Sequence, residues 1–175
     1  MSEKLPQVTR VYQNHHLDST RWKYFQPRDD DIIISTSYKS GTTWMQNIIR
    51  YLLLPDADLS KIGNFSPWVG AVWKSTADIM EQLETQTHRR CIKSHLALDG
   101  LPYFPQVKYV IVARDSRDVF MSMWNHYFNY TDDFYNDINL SPELVGEPMP
   151  HCPDDIHIFW KHWITRGWFE WESEG

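Results

Sequence analysis

The side chains able to do chemistry fall into three short stretches. "SYKSGTTWMQ", residues 37–46, sets a lysine, a glycine and several hydroxyls between an apolar run and a helix-like run. Gly41 permits a turn that brings backbone N–H groups toward a ligand. The helix start after it adds partial positive charge and further N–H donors. Lys39 contributes a full charge, and Ser40, Thr42 and Thr43 contribute hydroxyls. Together they make a cradle for a phosphate-type anion; the alternative is a plain polar strand–helix loop. It is not a Walker A loop, which carries its lysine after the glycine and a Ser/Thr for magnesium. The anion is therefore expected to bind with no metal.

The second stretch is "KSH", residues 93–95. On a strand, residues two apart share a face, so Lys93 and His95 point the same way. A cation beside a histidine favours its neutral, basic form, and a lysine offsets negative charge that develops as a bond breaks. Transfer of an anionic group to a hydroxyl needs both; a hydrogen-bonded structural histidine is the plainer reading of His95. The third stretch, "RDSRDVFMS", residues 114–122, carries Arg114 and Ser122 about two helical turns apart. An arginine fork suits phosphate oxygens, so both could grip one phosphate beside the helix. The competing reading is a helix-start salt bridge from Arg114 or Arg117. His15 and His16, in a segment read as mobile, and His126 and His162, on helices, are expected to be structural or surface residues.

These groups need a scaffold that brings strand ends together. "DDDIIIS" predicts a buried strand at 31–35, "RCIKSH" a second, and "VKYVIVA" a third at 107–113. A helix is expected over 43–54, with Trp44, Ile48, Tyr51 and Leu52 on one face, ended by Pro55. Ser75 should cap another helix, and a third follows Asp115. Asp18 or Ser19 could cap a short helix before Pro27, and Pro153 could open a last helix ending near Gly167. Residues 1–17, 56–74 and 131–153 read as irregular or loop. Strands alternating with helices imply an α/β fold: a central parallel sheet covered on both faces in three α/β/α layers. Ligands of such sheets bind beyond the carboxyl ends of the strands, where all three stretches fall.

With 175 residues, the chain is expected to be one domain over 1–175, incomplete at its C-terminus, where "WESEG" ends without a terminal element. A net charge of -6 argues against nucleic-acid binding. Cys91 and Cys152 fit neither a metal motif nor a disulfide framework. The N-terminus lacks the apolar core of a signal peptide, and no apolar run is long enough to span a bilayer. A cytoplasmic protein without membrane contact is the expectation. Trp160, Trp163, Trp168 and Trp171 crowd the C-terminal end, as core or as pocket walls.

"YKSGTTWMQ", "KSHL" and "YVIVARDSRDVFMSMWNHY" together resemble the cytosolic-type sulfotransferases that use 3'-phosphoadenosine 5'-phosphosulfate (PAPS). The likeness runs from about residue 31 to residue 130, and more loosely to Trp171. It implies transfer of a sulfuryl group from PAPS to a hydroxyl, or an amine, of a small apolar or aromatic acceptor, without a metal. Lys39, Ser40, Gly41, Thr42 and Thr43 match the loop for the 5'-phosphosulfate, and Trp44 the adenine-stacking residue. Arg114 and Ser122 match the 3'-phosphate pair, His95 the base, and Lys39 and Lys93 the lysines at the transferring group. Ser40 matches the serine that restrains its neighbouring lysine. Phe65, Pro67 and Trp68 lie in a segment resembling the acceptor-pocket lining.

The chain departs from the family in three places. Ser37-Tyr38 replaces the usual Tyr-Pro before the lysine, and Asp115-Ser116 replaces Asn-Pro. The family's distal Arg-Lys-Gly segment has no counterpart. A P-loop kinase, or a truncated inactive nucleotide-binding module, is the alternative.

Overall fold

The computed structural model describes residues 5–56 and 62–166, with the side chain of Arg166 excepted. Trp168, Trp171 and the expected stop at Gly167 lie outside them. Three parallel strands form the sheet: β1 (Ile32–Thr36) lies between β2 (Cys91–Ser94) and β3 (Lys108–Val112). Each strand lies within a residue or two of its sequence prediction. The register pairs Ser35 with both Ser94 and Ile111, so the three carboxyl ends finish level.

The isoleucine run of β1 is buried on both faces, and its alternation sorts it into two cores. Ile33 packs with Ile92 and with Ile79, Leu83, Phe120, Met123, Tyr127 and Phe159. These come from α3 (Thr76–Glu84), α4 (Ser116–Phe128) and α6 (Ile156–Arg166). Ile32 and Ile34 face the other way, against Ile49 of α1 (Thr42–Leu53) and Phe65 of α2 (Ile62–Phe65). Two cores on opposite sides of one sheet make the three layers. At the amino ends of the strands, Arg90 forks onto Asp31 with bonds of 2.9 and 2.6 Å and reaches Glu84 at 3.0 Å. Both Arg90 and Asp31 are buried.

Four expectations change. Residues 131–153 are not all loop: Thr131 caps α5 (Asp132–Asn139), which buries Tyr135 and Ile138. Residues 56–74 contain α2. His15 and His16 are buried rather than mobile, as are Tyr12 and Leu17 of the same segment. The capped segment at Asp18 is a 3-10 helix, Ser19–Tyr24.

α1 turns its polar side inward. Thr42, Gln46, Ile49 and Arg50 are buried, while Trp44, Ile48, Tyr51 and Leu52 are exposed. No helix among the described residues is long and apolar enough to cross a membrane.

Candidate functional site

β1 delivers the first stretch. Its last residue, Thr36, bonds through its hydroxyl to the hydroxyl of Thr42, closing the base of the loop between them. Within the loop, Lys39 has φ 59° and Gly41 φ 106°. Left-handed backbone suits glycine but is uncommon for lysine. Gly41 is the N-cap of α1 and supplies no side-chain cap, so the first N–H groups of α1 remain for a ligand. Ser40 is buried, its hydroxyl 3.5 Å from the carbonyl of Tyr38.

β2 delivers Lys93 and, just past its end, His95. His95 Nδ1 lies 2.9 Å from the Thr36 carbonyl oxygen. A carbonyl only accepts, so Nδ1 carries the proton and Nε2 is the basic nitrogen. The imidazole stacks on Tyr38 at 4.1 Å and 17°, and meets Trp68 edge-on at 4.8 Å. Burial, with the Lys93 charge next in weight, pushes its pKa down to about 3. Burial and the Lys39 charge lower Lys93 to about 8. Its ammonium sits 4.4 Å over the Trp68 ring.

β3 delivers Arg114, which donates to the Lys39 carbonyl at 3.2 Å and lies 3.8 Å from Asp118. Both arginines therefore make the expected helix-start ion pairs, Arg114 with Asp118 and Arg117, more closely, with Asp115 at 3.0 Å.

These strand ends open into one cavity of about 880 Å³. Its wall includes Lys39, Ser40, Gly41, Thr42, Thr43 and Trp44 from the loop and helix start, and Lys93 and His95 from β2. Arg114, Ser122 and Trp68 line it as well. Trp44 is 80% exposed, so it is not a core residue in this chain. Phe65 corrects its expectation: it is buried in the core under α1, stacked on His88 at 5.5 Å, away from the cavity wall. Pro67 does not line the cavity either; its carbonyl accepts from the Lys93 N–H at 2.9 Å. That bond carries Trp68 to the site.

Sequence reasoning missed the rest of the wall: His16, Tyr38, Trp73, His126, Tyr127, Tyr130 and Phe134. His16, held neutral chiefly by burial, has its ring 6.0 Å from those of Tyr38 and Trp73. The aromatic clustering of "MWNHYFNY" was a signal for α4; nothing in the sequence marked His16. Among the described residues, no cluster of three or more His, Cys, Asp or Glu side chains is placed to hold a metal ion. Cys91 is buried, its thiol pushed up to about 12 by desolvation.

The arrangement is a basic cavity at the carboxyl edge of an α/β sheet. A glycine-turned helix start and basic groups from three strand ends meet a buried imidazole and an aromatic wall. The sulfotransferase domain family matches residues 29–169, and the chain belongs to that family. It is 38% identical over 135 residues to a glycolipid sulfotransferase of Mycobacterium tuberculosis, covering 76% of this chain and 41% of that one. Human sulfotransferase 1E1 is 31% identical over 155 residues, covering 82% and 51%. The chain thus spans about half the length of these relatives. A crystal structure of mouse sulfotransferase SULT7A1 complexed with PAP shares the fold, with a TM-score of 0.59 and 22% identity. It covers 89% of this chain and 47% of the mouse chain.

Proposed function

We propose that this chain forms the donor-binding and base-bearing part of a PAPS-dependent sulfotransferase. The observation that carries the reading is the single cavity shared by Lys39, Lys93, His95, Arg114 and Ser122, drawn from three strand ends. The residues fit the nucleotide chemically. The uncapped start of α1, with Lys39, Ser40, Thr42 and Thr43, suits the 5'-phosphosulfate. Arg114 and Ser122 suit the 3'-phosphate, and exposed Trp44 offers a face to adenine. PAPS supplies an activated sulfuryl group. His95 Nε2 takes the proton of the acceptor hydroxyl, while Lys39 and Lys93 offset charge on the transferring group and the leaving phosphate.

A pKa of about 3 makes the free imidazole a weak base. Negative charge brought into the cavity favours its protonated form and strengthens it as the transfer proceeds.

The acceptor is a small molecule with an apolar or aromatic body. Trp68, Trp73, Tyr127, Tyr130 and Phe134 supply the matching wall. The tuberculosis relative is named for a glycolipid, which joins hydroxyls to an apolar part. A cytoplasmic site of action accords with the two free cysteines.

Calorimetry tests the donor assignment. The chain should bind 3',5'-adenosine bisphosphate more tightly than adenosine 5'-phosphate, and Arg114→Ala should abolish that difference. Equal affinity for the two nucleotides in the unmodified chain would sink the assignment. His95→Ala should abolish turnover; unchanged turnover removes His95 as base. A second reading is a nucleotide-binding module without turnover. Tight nucleotide binding with no product from a panel of phenols and alcohols would select it.

A further inference from the structure

Tyr38 stands where the resembled family usually carries proline, directly before the loop lysine. Its backbone belongs to the anion loop, next to Lys39 with its left-handed φ of 59°. Its side chain lies buried, flat against His95 at 4.1 Å and 17°. Trp68 meets the same phenol at 6.0 Å, and His16 meets it from the N-terminal segment at 6.0 Å. Proline would pre-set the loop through its ring. A buried tyrosine ring anchors the loop by packing instead, and the surface it packs on is the candidate base.

We propose that Tyr38 is a positioning residue that locks the His95 imidazole and the Lys39 loop into one unit. What that unit does rests on the sulfotransferase reading; the coupling itself is a property of the free protein. Tyr38 covers one face of the imidazole, Trp68 abuts it edge-on, and the Thr36 carbonyl holds Nδ1. Only Nε2 is left for the cavity. The charged and titratable groups lining the cavity with His95 are Lys93 of β2, Lys39 and Tyr38 of the loop, Arg114 after β3, His16 of the N-terminal segment, His126 and Tyr127 of α4, and Tyr130. Among the described residues no carboxylate lines the cavity, and it is the Tyr38 ring that covers this side of the imidazole. The unit makes loop order and base orientation interdependent: loosening the ring frees both.

The test is a proton NMR titration of the His95 imidazole in the full chain, assigned by its loss in His95→Gln. It is paired with calorimetry of 3',5'-adenosine bisphosphate. In the unmodified chain His95 should not titrate between about pH 5 and 8. Tyr38→Phe keeps the stacked ring and should match it in both measurements. Tyr38→Ala should bring the His95 midpoint into that window and weaken nucleotide binding by about tenfold. Should Tyr38→Ala fail to fold, Tyr38→Leu replaces it, keeping apolar volume without a flat face. The proposal is overturned if the Ala or Leu variant leaves both readouts unchanged, or if Tyr38→Phe is as impaired as they are. If the unmodified chain binds no nucleotide, the donor reading falls, and the imidazole titration alone decides the role of Tyr38.

Discussion

Trp44 separates two meanings of one residue. It opens α1, where a tryptophan either packs the core or meets a ligand. The structure leaves it 80% exposed. A tryptophan side chain presents roughly 200 Å², so only about 40 Å² is covered here. At about 25 cal/mol per Å², Trp44→Ala forfeits at most about 1 kcal/mol of folding stability. For a chain of this size that is a melting shift of about 2–4 °C. Base–aromatic stacking, in contrast, contributes about 1–3 kcal/mol, a factor of about 5 to 150 in Kd. The expected result is a nearly unchanged thermal melt with a clear loss of 3',5'-adenosine bisphosphate affinity by calorimetry. Trp44→Phe should recover part of that affinity, since a smaller aromatic face remains. A melting point lowered by about 10 °C would show that Trp44 carries packing after all. Affinity within about twofold of the unmodified chain would show that the base does not rest on it.

Three further outcomes follow from buried charge. Asp31→Ala removes the two-bond partner of the Arg90 guanidinium, which is 1% exposed and keeps Glu84 at 3.0 Å and the Gln26 carbonyl at 2.7 Å, and should cost about 2–3 kcal/mol by urea unfolding; Asp31→Leu with Arg90→Met should restore most of it, and a single-variant loss under about 1 kcal/mol would contradict the burial argument. His95 and His15, lowered to about 3 and about 4, and His16, lowered further than its ordinary value, are neutral when folded and charge on acid unfolding. Their stabilising effect is complete above the unfolded pKa near 6.5 and is lost as pH falls toward the folded values, so the melting point should drop from pH 7 to pH 5, less steeply in His95→Gln. Lys93, lowered to about 8, keeps its charge only below that pH, so nucleotide affinity should begin to weaken as pH rises past about 8; Lys93→Arg should remove the break, and a break only near 10.5 would mean that Lys93 is not buried as described.

Much of the fold was legible along the chain because its signals are local. A run of isoleucines bounded by charges defines β1, and "VKYVIVA" defines β3. Ser75 and Asp115 cap their helices as their side chains allow, accepting from the N–H groups of Asp78 and Arg117. What failed depends on distant packing. α5 is rich in Asp and Asn, and it stands as a helix because Tyr135 and Ile138 enter a core built by other segments. His15 and His16 carry no local mark of burial; the folded N-terminal segment supplies it. Phe65 was expected at the pocket only because its segment resembles the family's acceptor-pocket lining, yet α2 turns it beneath α1. The apolar spacing on α1 was read correctly, but periodicity identifies a stripe and not the side that faces the sheet.

The sequence by itself determined the chemistry at hand. A lysine before a glycine, a lysine and histidine two apart, and an arginine and serine about two turns apart are fixed by residue order. So is their place at strand ends, because strand, turn and helix signals act over a few residues. Only the tertiary structure decided which groups meet. Parallel pairing of β2-β1-β3 draws Lys93, the Lys39 loop and Arg114 onto one edge from positions far apart in the chain. Folding then closes aromatic rings over His95, and removal of water from its imidazole pushes its pKa down. Burial depends on which segments pack together across the whole chain, so no short stretch of sequence encodes it.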